Sequence, residues 1–221
     1  MSATTAELER ATPRKVAEKN SLFEPAVLLL LSLATIGTAW CSFQAASWAG
    51  LSQRLTNLSA AASRRAAANE IQSYQLKLAD VLLFTEHINA RAASNETLAT
   101  FYSDRFRGEA KTAFDAWIAM KPFENANALP HPFVTNLYQP QVLVEAKLAE
   151  AEALQLWQRG GEAGRTGRSY VLITVLLACA LFCGGTAAKF EVRWVRRMVL
   201  ALGLAVFVFA AVRLLSLPVL T

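Results

Sequence analysis

The sequence predicts an all-α integral membrane protein with three transmembrane helices and a long-helix extramembrane bundle between spans one and two. Three observations predict it. Of 221 residues, 54% are hydrophobic and 18% charged, whereas soluble domains carry nearer to about 25% charge. Residues 25–53 and 169–188 hold no charged side chain, and 198–219 hold only Arg213. The intervening residues are rich in Ala, Leu, Glu, Lys and Gln, which are good helix formers, and show no strand alternation. The same composition excludes a disordered chain, and three Cys are too few for a disulfide scaffold.

Residues 1–24 read as a cytoplasmic N-terminal tail with Arg10, Arg14, Lys15 and Lys19 balanced by acids. Residues 25–49 form transmembrane helix 1, since about 20 apolar residues span the hydrocarbon layer. Lipid offers the backbone no partners, so the span is helical. An uncleaved anchor is expected rather than a signal peptide. The leader is long and mixed in charge, the apolar run continues through IGTAWCSFQAASWAG, and Trp40 is too bulky for a cut before Cys41.

Residues 50–168 form the extramembrane, periplasmic α-helical domain. Its first helix continues span one, with an apolar series Leu51, Leu55, Leu58, Ala62, Tyr74, Leu78, Val81, Thr85, Ile88, Ala92. Ser94-Asn95 ends it and caps the next helix, expected over Glu96–Met120 and closed by Pro122. An Asn- and Pro-rich loop follows, and Pro140 opens a third helix reaching about Trp157. Gly160, Gly161 and Gly164 then suggest a flexible hinge before span two. The same glycines do not make a phosphate loop, which needs a different spacing, a Lys and a preceding strand.

Residues 169–188 form transmembrane helix 2, 189–197 a basic cytoplasmic loop, and 198–219 transmembrane helix 3. The loop carries Lys189, Arg193, Arg196 and Arg197 against Glu191. Short positive loops stay inside, so the N-terminus is expected in the cytoplasm and the insert and C-terminus in the periplasm of a bacterial inner membrane. The net charge of +5 is largely this loop, which suits topology and lipid headgroups. A pI of 9.3 concentrated there argues against nucleic-acid binding.

The spans hold the candidate residues. Gly37, Cys41 and Ala45 in span one, and Ala180 and Gly184 in span two, form small-residue rows suited to helix packing or oligomer contact. Thr38, Ser42 and Gln44 give the outer half of span one a polar face. Arg213 is an intramembrane ionisable residue near an interface it can reach, and Gln44 is its expected hydrogen-bond partner. Cys179 and Cys183 share a helix face but lack companion ligands, so they read as packing residues. His87 and His131 likewise have no convergent ligands. No catalytic or metal residues and no cofactor are expected, and no titratable constellation points to an enzyme.

Span one leads into Ser42-Phe43-Gln44-Ala45-Ala46-Ser47-Trp48; the insert carries LLFTEHINA, FYSDRFRGEAKTAFDAW and PHPF; two closely spaced C-terminal spans follow. In these features the chain resembles a family of uncharacterised bacterial three-span inner-membrane proteins, a domain of unknown function. The resemblance covers most of residues 25–218 and implies architecture without a catalytic residue. Arg213 departs from it, at a position expected to be apolar or aromatic.

Together these readings suggest a non-enzymatic inner-membrane protein, an oligomeric scaffold, interaction or sensory protein whose partners are the bilayer and either copies of itself or another membrane protein. The alternative is a small oligomeric channel or transporter component with the polar face of span one lining a pore. A topology reporter fused after Ala126 is expected to read as non-cytoplasmic; a cytoplasmic signal would reverse the orientation.

Overall fold

The computed structural model describes residues 23–134 and 136–220. The basic residues of the N-terminal tail lie outside them. Among the described residues the fold is entirely helical, with helices α1 (Phe23–Ala92), α2 (Glu96–Ser103), α3 (Gly108–Ala119), α4 (Gln141–Ala187) and α5 (Arg193–Leu215) and no strand. Helices α1, α4 and α5 each contain a stretch long and apolar enough to cross a membrane.

Several boundaries depart from the sequence reading. The expected helix over Glu96–Met120 is two helices. Asp104 closes α2, while Arg107 adopts an extended backbone (φ −63°, ψ 158°) that opens α3. The expected hinge is absent: Gly160, Gly161 and Gly164 all lie inside the unbroken α4, and no described glycine has positive φ. Gly164 lies against a close neighbour. A Cβ there would stand 3.0 Å from Ser52 Oγ. The 189–197 loop is also shorter than expected, since Arg193, Arg196 and Arg197 already belong to the first turns of α5. Asn95 does cap α2, its side chain accepting a hydrogen bond from the Leu98 amide at 3.0 Å.

The fold divides into two compact units. A terminal unit takes in the described residues up to Gln53 and those from Gly161 onward; a central unit is Arg54–Gly160. In the terminal unit the inward positions of α1 are Val27, Leu30, Ala34, Cys41 and Gln44, and those of α4 are Tyr170, Ile173, Leu177, Ala180 and Ala187. They recur at intervals of three and four, the seam of antiparallel helices wound left-handedly. Small residues set how near the helices come. A Cβ on Gly37 would lie 3.1 Å from Leu177, on Gly184 3.2 Å from Leu31, and on Gly203 of α5 2.9 Å from Cys183 Cβ. The faces turned away from this seam are apolar, with Leu28, Leu29, Ile36, Val171, Val212 and Phe182 exposed, the last at 72%.

In the central unit α1 buries Ser59, Ala62, Ser73, Asp80, His87 and Ala90, and α4 buries Ala146, Ala149 and Ala153. The Ser59 hydroxyl donates to the Ala153 carbonyl at 2.8 Å, a bond open to so short a side chain only when the helices nearly touch. The apolar series read from the sequence does not face this seam throughout. Leu58, Tyr74 and Leu78 are exposed, Leu78 at 61%, because the small and polar residues occupy the inner row. Around one end of the seam the turn before α3, α3 itself and the loop after it pack an aromatic core of Phe106, Phe114, Trp117, Phe133 and Tyr138. Phe84 of α1 meets Phe114, Trp117 and Phe133 edge-on, at centroid distances of 6.5, 5.2 and 5.6 Å. Such pairs add about 0.5–1.5 kcal/mol each beyond their buried area.

The glycines separate by their surroundings into two classes. Gly203→Val is expected to lower the melting temperature of the detergent-solubilised protein by several degrees, since its Cβ would collide with Cys183. Gly50→Ala and Gly185→Ala meet nothing within 4 Å and are expected to be neutral or to stabilise by up to about 1 kcal/mol, the helix preference of Ala over Gly. Equal melting of all three variants would contradict the packing described.

Candidate functional site

Two polar clusters interrupt the packing, one in each unit. In the terminal unit Gln44 is fully buried, and both ends of its amide are used. Its Nε2 donates to the Leu220 carbonyl at 3.2 Å, and its Oε1 accepts from the Leu220 amide at 3.0 Å. Tyr170, also fully buried, donates its hydroxyl to the Pro218 carbonyl at 3.0 Å. The chain after Ser216, where α5 ends, has backbone groups with no helical partner. Gln44 and Tyr170 supply partners for two of those residues and hold the segment against α1 and α4.

This arrangement corrects one expectation. Gln44 is paired with the Leu220 backbone rather than with Arg213, whose side chain is exposed. The reason is geometric: a glutamine facing the helix seam cannot also meet an arginine on an outward face. Of the other polar candidates in span one, Thr38 returns its hydroxyl to the Ala34 carbonyl at 2.8 Å, and Ser42 is exposed. The small residues Gly37, Cys41, Ala45, Ala180 and Gly184 pack against helices of the same chain. Lys189, Arg193 and Arg197 are exposed near the junction of α4 and α5, with Arg196 half-buried beside them.

The central unit holds the stronger cluster. Asp80 of α1 is 1% exposed and receives a two-pronged contact from Arg107, the residue that opens α3. Arg107 Nη2 and Nε reach the two carboxylate oxygens, the Nε bond at 3.2 Å. The Tyr138 hydroxyl donates to Asp80 Oδ2 at 2.7 Å and accepts from Arg107 Nη2 at 3.1 Å. Glu109 lies 3.4 Å from Arg107 Nη1, and its other oxygen accepts from the Gln141 amide at 2.9 Å, capping the start of α4. Asp80 thus connects α1 to α3 and to the loop ending at Pro140. The fork is suited to a buried carboxylate because guanidinium presents paired donors in a plane.

Two pKa directions follow from this packing. Burial first, and the bond to Asp80 second, hold the Tyr138 hydroxyl protonated well above the ordinary tyrosine value. Arg107 is held more firmly charged, chiefly by its hydrogen bond to Asp80. Neither group is poised for proton transfer near neutrality. Every member of the cluster is spent on another member, so it positions helices and offers no free nucleophile.

His87 is buried one helical repeat beyond Asp80, stacked edge-on against Phe114 at 4.9 Å. Its Nδ1 lies 2.8 Å from the Ala99 carbonyl, which assigns the hydrogen to Nδ1. Nε2 is buried with no hydrogen-bond partner among the described residues. No group of three metal-ligating side chains occurs among the described residues. Cys41, Cys179 and Cys183 are free thiols.

No protein-family model, curated protein or solved structure matches the chain. Sequence reading passed over Asp80, Arg107, Tyr138 and Tyr170. A signal for the first was present: Ser59, Ser73, Asp80 and His87 fall on one row at multiples of seven residues. An acid on such a row needs a partner from elsewhere in the chain.

Asp80→Asn is expected to destabilise the protein by about 3 kcal/mol, the scale for breaking a buried ion pair on one side. The folded state holds the Tyr138 proton more tightly than the unfolded state does. Its contribution is therefore complete below the ordinary tyrosine value of 10.0 and declines as pH rises above it toward the folded value. Unfolding measured from pH 8 to 11 should show wild type losing stability above pH 10 more steeply than Tyr138→Phe. Parallel curves would contradict the assignment.

Proposed function

We propose that this chain is a non-enzymatic integral membrane protein of a bacterial inner membrane, crossing it three times and presenting the helical insert in the periplasm as a recognition surface for self-assembly. The membrane reading is supported by the three apolar helices and by the outward faces of the terminal unit, where leucine, isoleucine, valine and phenylalanine are exposed. Such faces are stable in hydrocarbon and unfavourable in water. The orientation follows the basic residues between α4 and α5, with the N-terminus inside and the insert and C-terminus outside. The resemblance to bacterial three-span inner-membrane proteins agrees with this placement. The insert is read as a helical bundle on the membrane, built from the far portion of α1, from α2 and α3, and from the first turns of α4.

One observation carries the interaction reading. In the central unit α1 exposes Ile71, Tyr74, Leu78 and Leu82, spaced at three and four residues, on a different face from buried Ser73, Asp80 and His87. An apolar row at helical spacing on a charged, helical domain is the usual form of a helix-to-helix contact. A second copy of the chain offers the same row, so a two-fold interface would cover both at once. A pore lined by Thr38, Ser42 and Gln44 receives no comparable support, because Gln44 is committed at both ends to Leu220 within one chain. A sensory role is the natural form of the reading, since α1 and α4 each contribute residues to both units.

Mass measurement in mild detergent and in nanodiscs tests this. The wild-type protein is expected to run as a dimer or higher assembly, and Ile71→Glu with Leu78→Glu to run as a monomer with an unchanged helical spectrum. A monomeric wild type in both media would overturn the self-assembly, and an assembly indifferent to both substitutions would remove the row from it.

A further inference from the structure

A groove of about 220 Å³ lies wholly within the central unit, between α1, the start of α4 and the loop before it. Its walls include Phe133, Tyr138 and Leu143; Lys77 and Lys147 also line it, one from each helix. Neither lysine forms an ion pair with a described residue. No carboxylate lines this groove. Glu70 and Glu150 line a neighbouring one, which shares only Leu143 and Lys147 with it.

Ser73 supplies the second observation. It is 5% exposed and lines the groove. Its hydroxyl makes no hydrogen bond to another described residue, although a helical serine can readily return its hydroxyl to the preceding turn, as Ser47 does at 3.0 Å. Its oxygen is not among the buried polar atoms that lack a partner, so it opens into the groove, where solvent or a bound group can bond it. Here it stands beside two cations and aromatic edges.

We propose that this groove binds a small amphipathic anion, an aryl carboxylate. The apolar body would lie against Phe133, Tyr138 and Leu143, and the carboxylate would take Lys77, Lys147 and the Ser73 hydroxyl. Aromatic ring edges carry partial positive charge and suit the face of a second ring. The volume admits a single ring with a short side arm, and pockets for larger ligands begin at about 300 Å³. Because Tyr138 also holds Asp80, an occupant would touch the side chain that ties the loop to α1. The site is independent of the self-assembly proposed above, whose row of residues shares only Tyr74 with the groove.

Ligand-observed NMR titration of the full chain in detergent tests the site, with phenylacetate as the probe and benzoate and 3-phenylpropionate beside it. At least one of the three is expected to bind saturably, and at least tenfold more tightly than its uncharged amide. Lys77→Gln and Lys147→Gln, both at exposed positions where folding is not at stake, should each weaken binding severalfold. Ser73→Ala should do the same, and Leu143→Trp should abolish binding while the helical spectrum is retained. Equal affinity for acid and amide, indifference to both lysine substitutions, or no saturable binding by any of the three acids would overturn the proposal. Inorganic phosphate competing as well as the aryl acids would also overturn it, since the apolar wall would then play no part. The assembly mass of the same samples reads out separately, so failure here leaves the self-assembly proposal where it stood.

Discussion

Close approach of α1 and α4 is the constraint on which the rest of the structure depends. In each unit their facing positions recur at three and four residues; small residues fill most of them in the central unit and alternate with larger ones in the terminal unit. Small side chains let backbones come near, and the bond from Ser59 to the Ala153 carbonyl is the direct mark of it. Where such helices lie in lipid, the hydrophobic effect does not drive them together, so packing and hydrogen bonds must. Gly167 shows the same in the terminal unit, where a Cβ would lie 3.5 Å from the Ala45 carbonyl.

A seam of small residues buries little apolar area for its length, so each unit adds a second source of stability. The terminal unit uses buried polar side chains against irregular backbone. Gln44 and Tyr170 bond to Leu220 and Pro218 just where helix geometry ends and the carbonyl and amide groups would otherwise be bare. The central unit uses an aromatic core and an ion pair. Trp117 donates to the Leu129 carbonyl at 2.6 Å, which holds the loop after α3 against the rings. Arg107 spans from a helix start to a carboxylate inside α1, and the break between α2 and α3 is what gives it that reach.

Much of the architecture was legible in the residues. The charge-free runs located the three apolar helices, and Ser94-Asn95 marked the end of α1. The errors have a common origin. Glycines at 160, 161 and 164 read as a hinge because backbone freedom is a local property. In the structure all three lie inside one continuous helix, and Gly164 packs against Ser52, distant in the chain. Leu58, Tyr74 and Leu78 belong to an apolar series at helical spacing yet are exposed, because close helix pairs put the smallest residues inside.

The sequence by itself determined the class: all helical, with three membrane-length segments and a near-neutral insert between the first two. These follow from composition and spacing along one chain direction, which is how helices and apolar spans are encoded. Only the tertiary structure decided the partners. Gln44 meeting Leu220, Asp80 meeting Arg107 and Tyr138, and Lys77 and Lys147 lining one groove each bring together residues far apart in the chain. Spacing along a helix says which residues share a face; it carries no record of what lies opposite.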